Sequence, residues 1–85
     1  MTIRITTHQN SRGGIVVVAG RLDADGVREL ERVIVETPNV TGLDLDGLRA
    51  ADETGLEALR NLRDRGIALK GASRYLALLL GEEPR

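Results

Sequence analysis

Residues Leu43 to Leu59 read LDLDGLRAADETGLEAL, and the stretch changes its period halfway along. Leu43 and Leu45 alternate with Asp44 and Asp46, the two-residue repeat of a strand with one face inward. Further on, Leu56, Leu59 and Leu62 fall at the spacing of an amphipathic helix. A strand that passes through a short loop into a helix is half of a strand–helix–strand unit. Units of that kind have right-handed crossovers and build parallel sheets.

The flanking segments continue the pattern. TIRITTH, near the N-terminus, alternates Ile3 and Ile5 with polar neighbours, as a half-buried strand does. NSRGG is turn chemistry, and IVVVAG is a short continuously apolar strand, so the pair reads as a hairpin with a central second member. Ala24, Val27, Leu30, Val33 and Ile34 recur at helical spacing, with Arg28, Glu29, Glu31 and Arg32 opposite, which predicts a helix that stops before Pro38. Downstream, Arg60, Arg63 and Arg65 suit the C-terminal end of the second helix, and Gly66 its stop. IALKG is another short strand, and Ser73 can cap a last helix, RYLALLL, ending near Gly81. The expected fold is α/β over residues 1–85 as one domain. It has a mixed sheet of about four strands, an N-terminal hairpin followed by β-α units, covered by about three helices.

The chain has 85 residues, 12 of them basic and 13 acidic, for a net charge of −1. That balance gives no general attraction to nucleic acid or to an anionic membrane. Tyr75 is the single aromatic residue, so the core is aliphatic and base stacking has no support. Cysteine is absent, which excludes disulfides, thiol nucleophiles and thiolate metal sites. The first residues lack the apolar run of a signal peptide. The longest apolar run, YLALLL, falls far short of the roughly 18–20 residues of a membrane span. A cytoplasmic location without membrane insertion is expected, and Asn39-Val40-Thr41 is then a chance match to a glycosylation triplet.

Little in the sequence supports catalysis. His8 lies in the first hairpin, without the partners of a nucleophilic triad, and reads as a solvated residue. GIALKGAS lacks the spacing of a phosphate-cradling loop. Asp23–Gly26 (DADG) and Asp44–Gly47 (DLDG) lack the further oxygen ligands of a calcium loop. Asp44 and Asp46 share a strand face and read as solvated carboxylates. The chain is short for a phosphotransfer receiver and lacks an acidic cluster after its first strand. No enzyme activity, metal or cofactor is expected.

Loops leaving the carboxyl ends of parallel strands share one edge, the usual place for recognition. Two such loops are GRLDAD (Gly20 to Asp25) and GLRAADETG (Gly47 to Gly55), which would bring Asp23 and Asp52 together. Within the second, Thr54-Gly55-Leu56-Glu57 fits a capping box, with Thr54 as the cap, worth about 0.5–2 kcal/mol. Gly55 is unusual so near a helix start, where it costs roughly 1 kcal/mol against Ala; it would let another molecule approach the Thr54 hydroxyl. Thr54 is therefore either a cap or a hydroxyl open to modification.

VVVAGRLDA (Val16 to Ala24), LDLDGLRAADETGLEAL (Leu43 to Leu59) and RGIALKGASRYLALLL (Arg65 to Leu80) follow one another in the order of a STAS domain. Across nearly its whole length the chain resembles the bacterial anti-sigma factor antagonists that carry this fold. The resemblance implies a binding switch with no catalysis of its own. Its partner would be an anti-sigma factor with a histidine-kinase-like ATPase fold, which phosphorylates the hydroxyl before the glycine, here Thr54. A phosphatase would reverse the step. Asp23, Asp52, Glu53 and Gly55 would lie on the partner-facing surface. Glu53 stands where the family's switches commonly carry serine or another small residue. Some STAS domains do not switch and serve as constitutive subunits, for example beside the ATPase of a lipid-transport complex. The last helix, apolar around most of its girth at Tyr75, Leu76, Leu78, Leu79 and Leu80, would suit such an interface or a homodimer.

Overall fold

A computed structural model of the chain describes residues 3–81. The hairpin forms as its sequence suggests: β1 (Ile3–Asn10) and β2 (Gly13–Leu22) pair antiparallel from Ile3↔Gly20 to Asn10↔Gly13. Next come α1 (Ala24–Glu36), β3 (Val40–Asp44), β4 (Leu48–Ala51), α2 (Glu53–Asp64), β5 (Ala68–Lys70) and α3 (Arg74–Leu79). The sheet is mixed, in the order β1-β2-β3-β5, and every pairing except the hairpin is parallel. The expected class, a hairpin and β-α units under three helices, is thus observed.

The sheet has five strands rather than about four. The extra one, β4, falls in what reads as loop. β2 is long enough to pair twice on the same side. It pairs with β3 over Gly14–Val17 and with β4 over Gly20–Leu22. Between them the chain steps aside at Leu45–Gly47, where Leu48 N–H donates to the Leu45 carbonyl at 3.0 Å. Four residues containing two alanines have little strand preference of their own; pairing with the end of β2 makes them a strand.

One aliphatic core sits on one face of the sheet. Val16, Val18 and Leu22 of β2, Leu43 of β3 and Leu48 of β4 point into it, together with Leu45. They meet Leu30 of α1, Leu59 and Leu62 of α2, and Leu76 of α3. All three helices therefore lie on the same side, as consecutive right-handed crossovers in one direction require. Leu43 and Leu45 are buried and Asp46 is exposed, as the alternation predicts, although β3 itself ends at Asp44. On the outer side of α1, Arg32 lies between Glu29 and Glu36. The hydrogen bond to Glu29 and the charge of both carboxylates raise its pKa further.

The last helix is held from both ends. Ser73 Oγ accepts from Leu76 N–H at 3.1 Å, the cap expected there. At the other end two arginines of α2 reach its carbonyls, Arg60 to Leu79 at 2.7 Å and Arg63 to Leu80 at 2.9 Å. Leu76 and Leu80 are buried, whereas Tyr75, Leu78 and Leu79 are 65%, 52% and 37% exposed.

Leu22 is fully buried, where β2 ends and both long helices begin. Leu22→Ala should cost about 2–5 kcal/mol, a large part of the ~5–15 kcal/mol that holds an ordinary domain folded. Urea denaturation followed by circular dichroism measures it; a loss below about 1 kcal/mol contradicts the packing described.

Candidate functional site

The carboxyl edge of the sheet is built from two helix starts of the same design. Asp23 caps α1, its Oδ1 accepting from Gly26 N–H at 2.9 Å. Asp52 caps α2, its Oδ1 accepting from Gly55 N–H at 2.9 Å. Both caps have extended backbone, as an N-cap requires. The two starts sit side by side because β2 and β4 are parallel neighbours, Leu22 opposite Ala51. Asp52 N–H also donates to the Leu22 carbonyl at 3.0 Å, continuing the sheet by one bond into the cap.

The expected capping box is corrected by this geometry. The cap of α2 is Asp52, and the glycine at the third helical position leaves no Glu there to reach back. Thr54 is the second residue of the helix, exposed, and its hydroxyl has no part in the cap. The signal for this was present: Asp-x-x-Gly occurs at Asp23–Gly26 and again at Asp52–Gly55.

Gly55 has a different physical role from the one its sequence position suggests. It is buried, and a Cβ there would lie 2.6 Å from the Leu22 carbonyl oxygen and 3.1 Å from Leu22 Cγ. The close approach is therefore internal, α2 onto the end of β2. Gly26 does the same for α1, where a Cβ would meet Ile3 Cδ1 at 2.9 Å and Leu22 Cδ1 at 3.2 Å.

Around Thr54 the edge is acidic. Asp25, Asp52 and Glu53 are exposed and Asp23 is half-buried. A hollow of about 430 Å³ beside α1 is lined by Ile3, Arg21, Asp23, Asp25 and Glu29, among others. Asp25 stands 3.8 Å from Arg28, an exposed pair of the kind worth only ~0–1 kcal/mol. His8 pairs with Ile15, toward the amino end of β2 and away from this edge. It offers Thr54 no base. Asp44 Oδ1 accepts from Asp46 N–H at 2.9 Å, so that carboxylate shapes the loop after β3. Among the described residues, no three of His, Asp and Glu gather as a metal site, and no helix is long and apolar enough to cross a membrane.

The structure thus brings Asp23, Asp52, Glu53, Thr54 and Gly55 to one edge, with the first four at least partly accessible and the glycine beneath them. Chemically the edge can present an alcohol framed by carboxylates to an incoming macromolecule. No family model matches the chain, and a search of curated proteins finds no match.

Four substitutions separate cap, spacer and hydroxyl. Asp52→Ala should cost about 0.5–2 kcal/mol, while Thr54→Ala should stay within about 0.5 kcal/mol. Gly55→Ala should destabilise despite alanine's better helix propensity, because the obstacle is backbone oxygen. Gly26→Ala should be milder, since the mobile end of Ile3 can yield. Thermal melts of the four variants rank these effects; a stabilised Gly55→Ala protein contradicts the contact with Leu22.

Proposed function

We propose that the chain is a protein-binding switch that resembles the anti-sigma factor antagonists and is controlled by phosphorylation of Thr54. The observation that carries this reading is the free Thr54 side chain. It is exposed in the first turn of α2, while Asp52 does the capping. A kinase can therefore take this hydroxyl without opening the helix. The partner in this reading is an anti-sigma factor with a histidine-kinase-like ATPase fold, and a phosphatase restores the unmodified form.

The electrostatics suit a switch. Phosphate adds about −1.5 to −2 charges at neutral pH. The helix N-terminus favours it by about 0.3–1 kcal/mol, but Asp52 and Glu53 already place negative charge beside it. A partner shaped to the unmodified edge then meets added bulk and like charge together, while the fold beneath is unchanged.

A second reading draws on α3. Tyr75, Leu78 and Leu79 are exposed on a six-residue helix, which suits a constitutive subunit docked through that helix. Glu53 beside Thr54 fits this reading better than the first.

The intact mass of the protein purified from its own cells distinguishes the two. The switch predicts a phosphate that maps to Thr54 and is absent from Thr54→Ala. It also predicts that Thr54→Glu weakens binding to the kinase-like partner by about tenfold or more, with an unaltered melting curve. An unmodified chain in both growing and stressed cells would leave the constitutive reading in possession.

A further inference from the structure

All three helices contribute to the core on one face of the sheet, and among the described residues no helix contributes to the other face. All-parallel sheets ordinarily have both faces covered, and here three of the four strand pairings are parallel. Ile15, Val17 and Ala19 of β2 alternate with the core residues and lie outside the core cluster, yet they are half-buried. Ile15 leans over Gly42, its Cδ1 lying 3.3 Å from the place of a Cβ there. The register sets Arg4 opposite Ala19, Thr6 opposite Val17 and His8 opposite Ile15 on this face.

Its charge is positive where its relief is lowest. Arg4 on β1 and Arg49 on β4 flank β2 at Ala19 and Gly20. Two strand spacings, roughly 9–10 Å, separate their backbones. Both line a shallow depression of about 470 Å³ whose floor includes Ala19, Gly20 and Gly47. The floor has to be flat: Gly20 has φ 96°, and a Cβ on Gly47 would meet that of Ala19 at 3.0 Å. Among the described residues, neither Arg4 nor Arg49 has an ion-pair partner. Lys70 adds a cation beside Asp44, whose carboxylate is turned to its own loop. Two unengaged guanidinium forks facing one depression match carboxylates.

We propose that this face docks an acidic amphipathic segment of another protein. Its apolar side lies on Ile15 and Val17, and its carboxylates reach Arg4 and Arg49. A polyanion suits the surface poorly, since these strands carry no Phe, Tyr or Trp for stacking and the chain as a whole carries a charge of −1. None of Asp23, Asp52, Glu53, Thr54 and Gly55 lines this depression, so each reading can fail without the other.

The test is a nuclear magnetic resonance titration of the full chain with three probes. They are a synthetic peptide of glutamate and leucine at helical spacing, the same peptide with lysine for glutamate, and a single-stranded oligonucleotide. The acidic peptide should shift the amides of Val17, Ala19, Gly20 and Arg49, and added salt should weaken it. Arg4→Glu with Arg49→Glu should weaken it by about tenfold or more, and the milder pair Arg4→Gln with Arg49→Gln should weaken it less. Both arginines are exposed, and a thermal melt checks that each variant is folded. Absence of shifts, shifts confined to the helices, equal response to the lysine peptide, or stronger binding of the oligonucleotide would each overturn the proposal.

Discussion

The contact between Gly55 and the Leu22 carbonyl is the constraint on which the architecture turns. It brings the start of α2 against the end of β2, closer than any side chain permits. The Asp52 N–H bond to the same carbonyl sets the angle of approach. From the other side Gly26 brings α1 onto the Leu22 side chain. One leucine thus joins a strand and two helices, and the cavity left by truncating it would open where all three meet. The acidic edge follows from this packing. Asp23 and Asp52 are neighbours because each is the residue that turns a strand into a helix at that point.

Much of this was legible, and the parts that were not have a common cause. The helices over Ala24–Glu36 and Arg74–Leu79 declare themselves through apolar spacing and local caps, because a helix satisfies its hydrogen bonds within the segment. β4 is different: Leu48–Ala51 has no strand pattern strong enough to stand alone, and it exists through a partner some thirty positions earlier in the chain. The cap of α2 was ambiguous for the same reason. Asp52 and Thr54 are both good capping residues, two positions apart, and in the sequence only the repeated Asp-x-x-Gly spacing favours Asp52. The choice is made by Leu22, whose carbonyl holds Asp52 in extended backbone and lets the helix start at Glu53. Gly55 looked open for another molecule, and it is occupied by the protein itself.

This reassignment bears on how a switch would work. Were Thr54 the cap, its modification would remove a helix-stabilising bond and alter the edge by fraying it. With Asp52 in that role, a group added at Thr54 alters surface shape and charge while leaving the scaffold in place. The acids are likewise divided: Asp23 and Asp52 spend one oxygen each on the helices, whereas Asp25 and Glu53 carry no such duty.

The double use of β2 also sets an order of opening. Its amides lie between β1 on one side and two successive neighbours, β3 and β4, on the other. Exchange of those amides with solvent hydrogen requires undoing several elements far apart in the chain, so they report global unfolding. α3 is at the opposite extreme. Six residues are too few to hold a helix in water, and its end depends on Arg60 and Arg63 of α2. Its amides should exchange through a smaller, local release than those of the sheet. The exposed Tyr75, Leu78 and Leu79 therefore ride on a short helix that is tied to the core by Leu76 and Leu80 and to α2 by the two arginines.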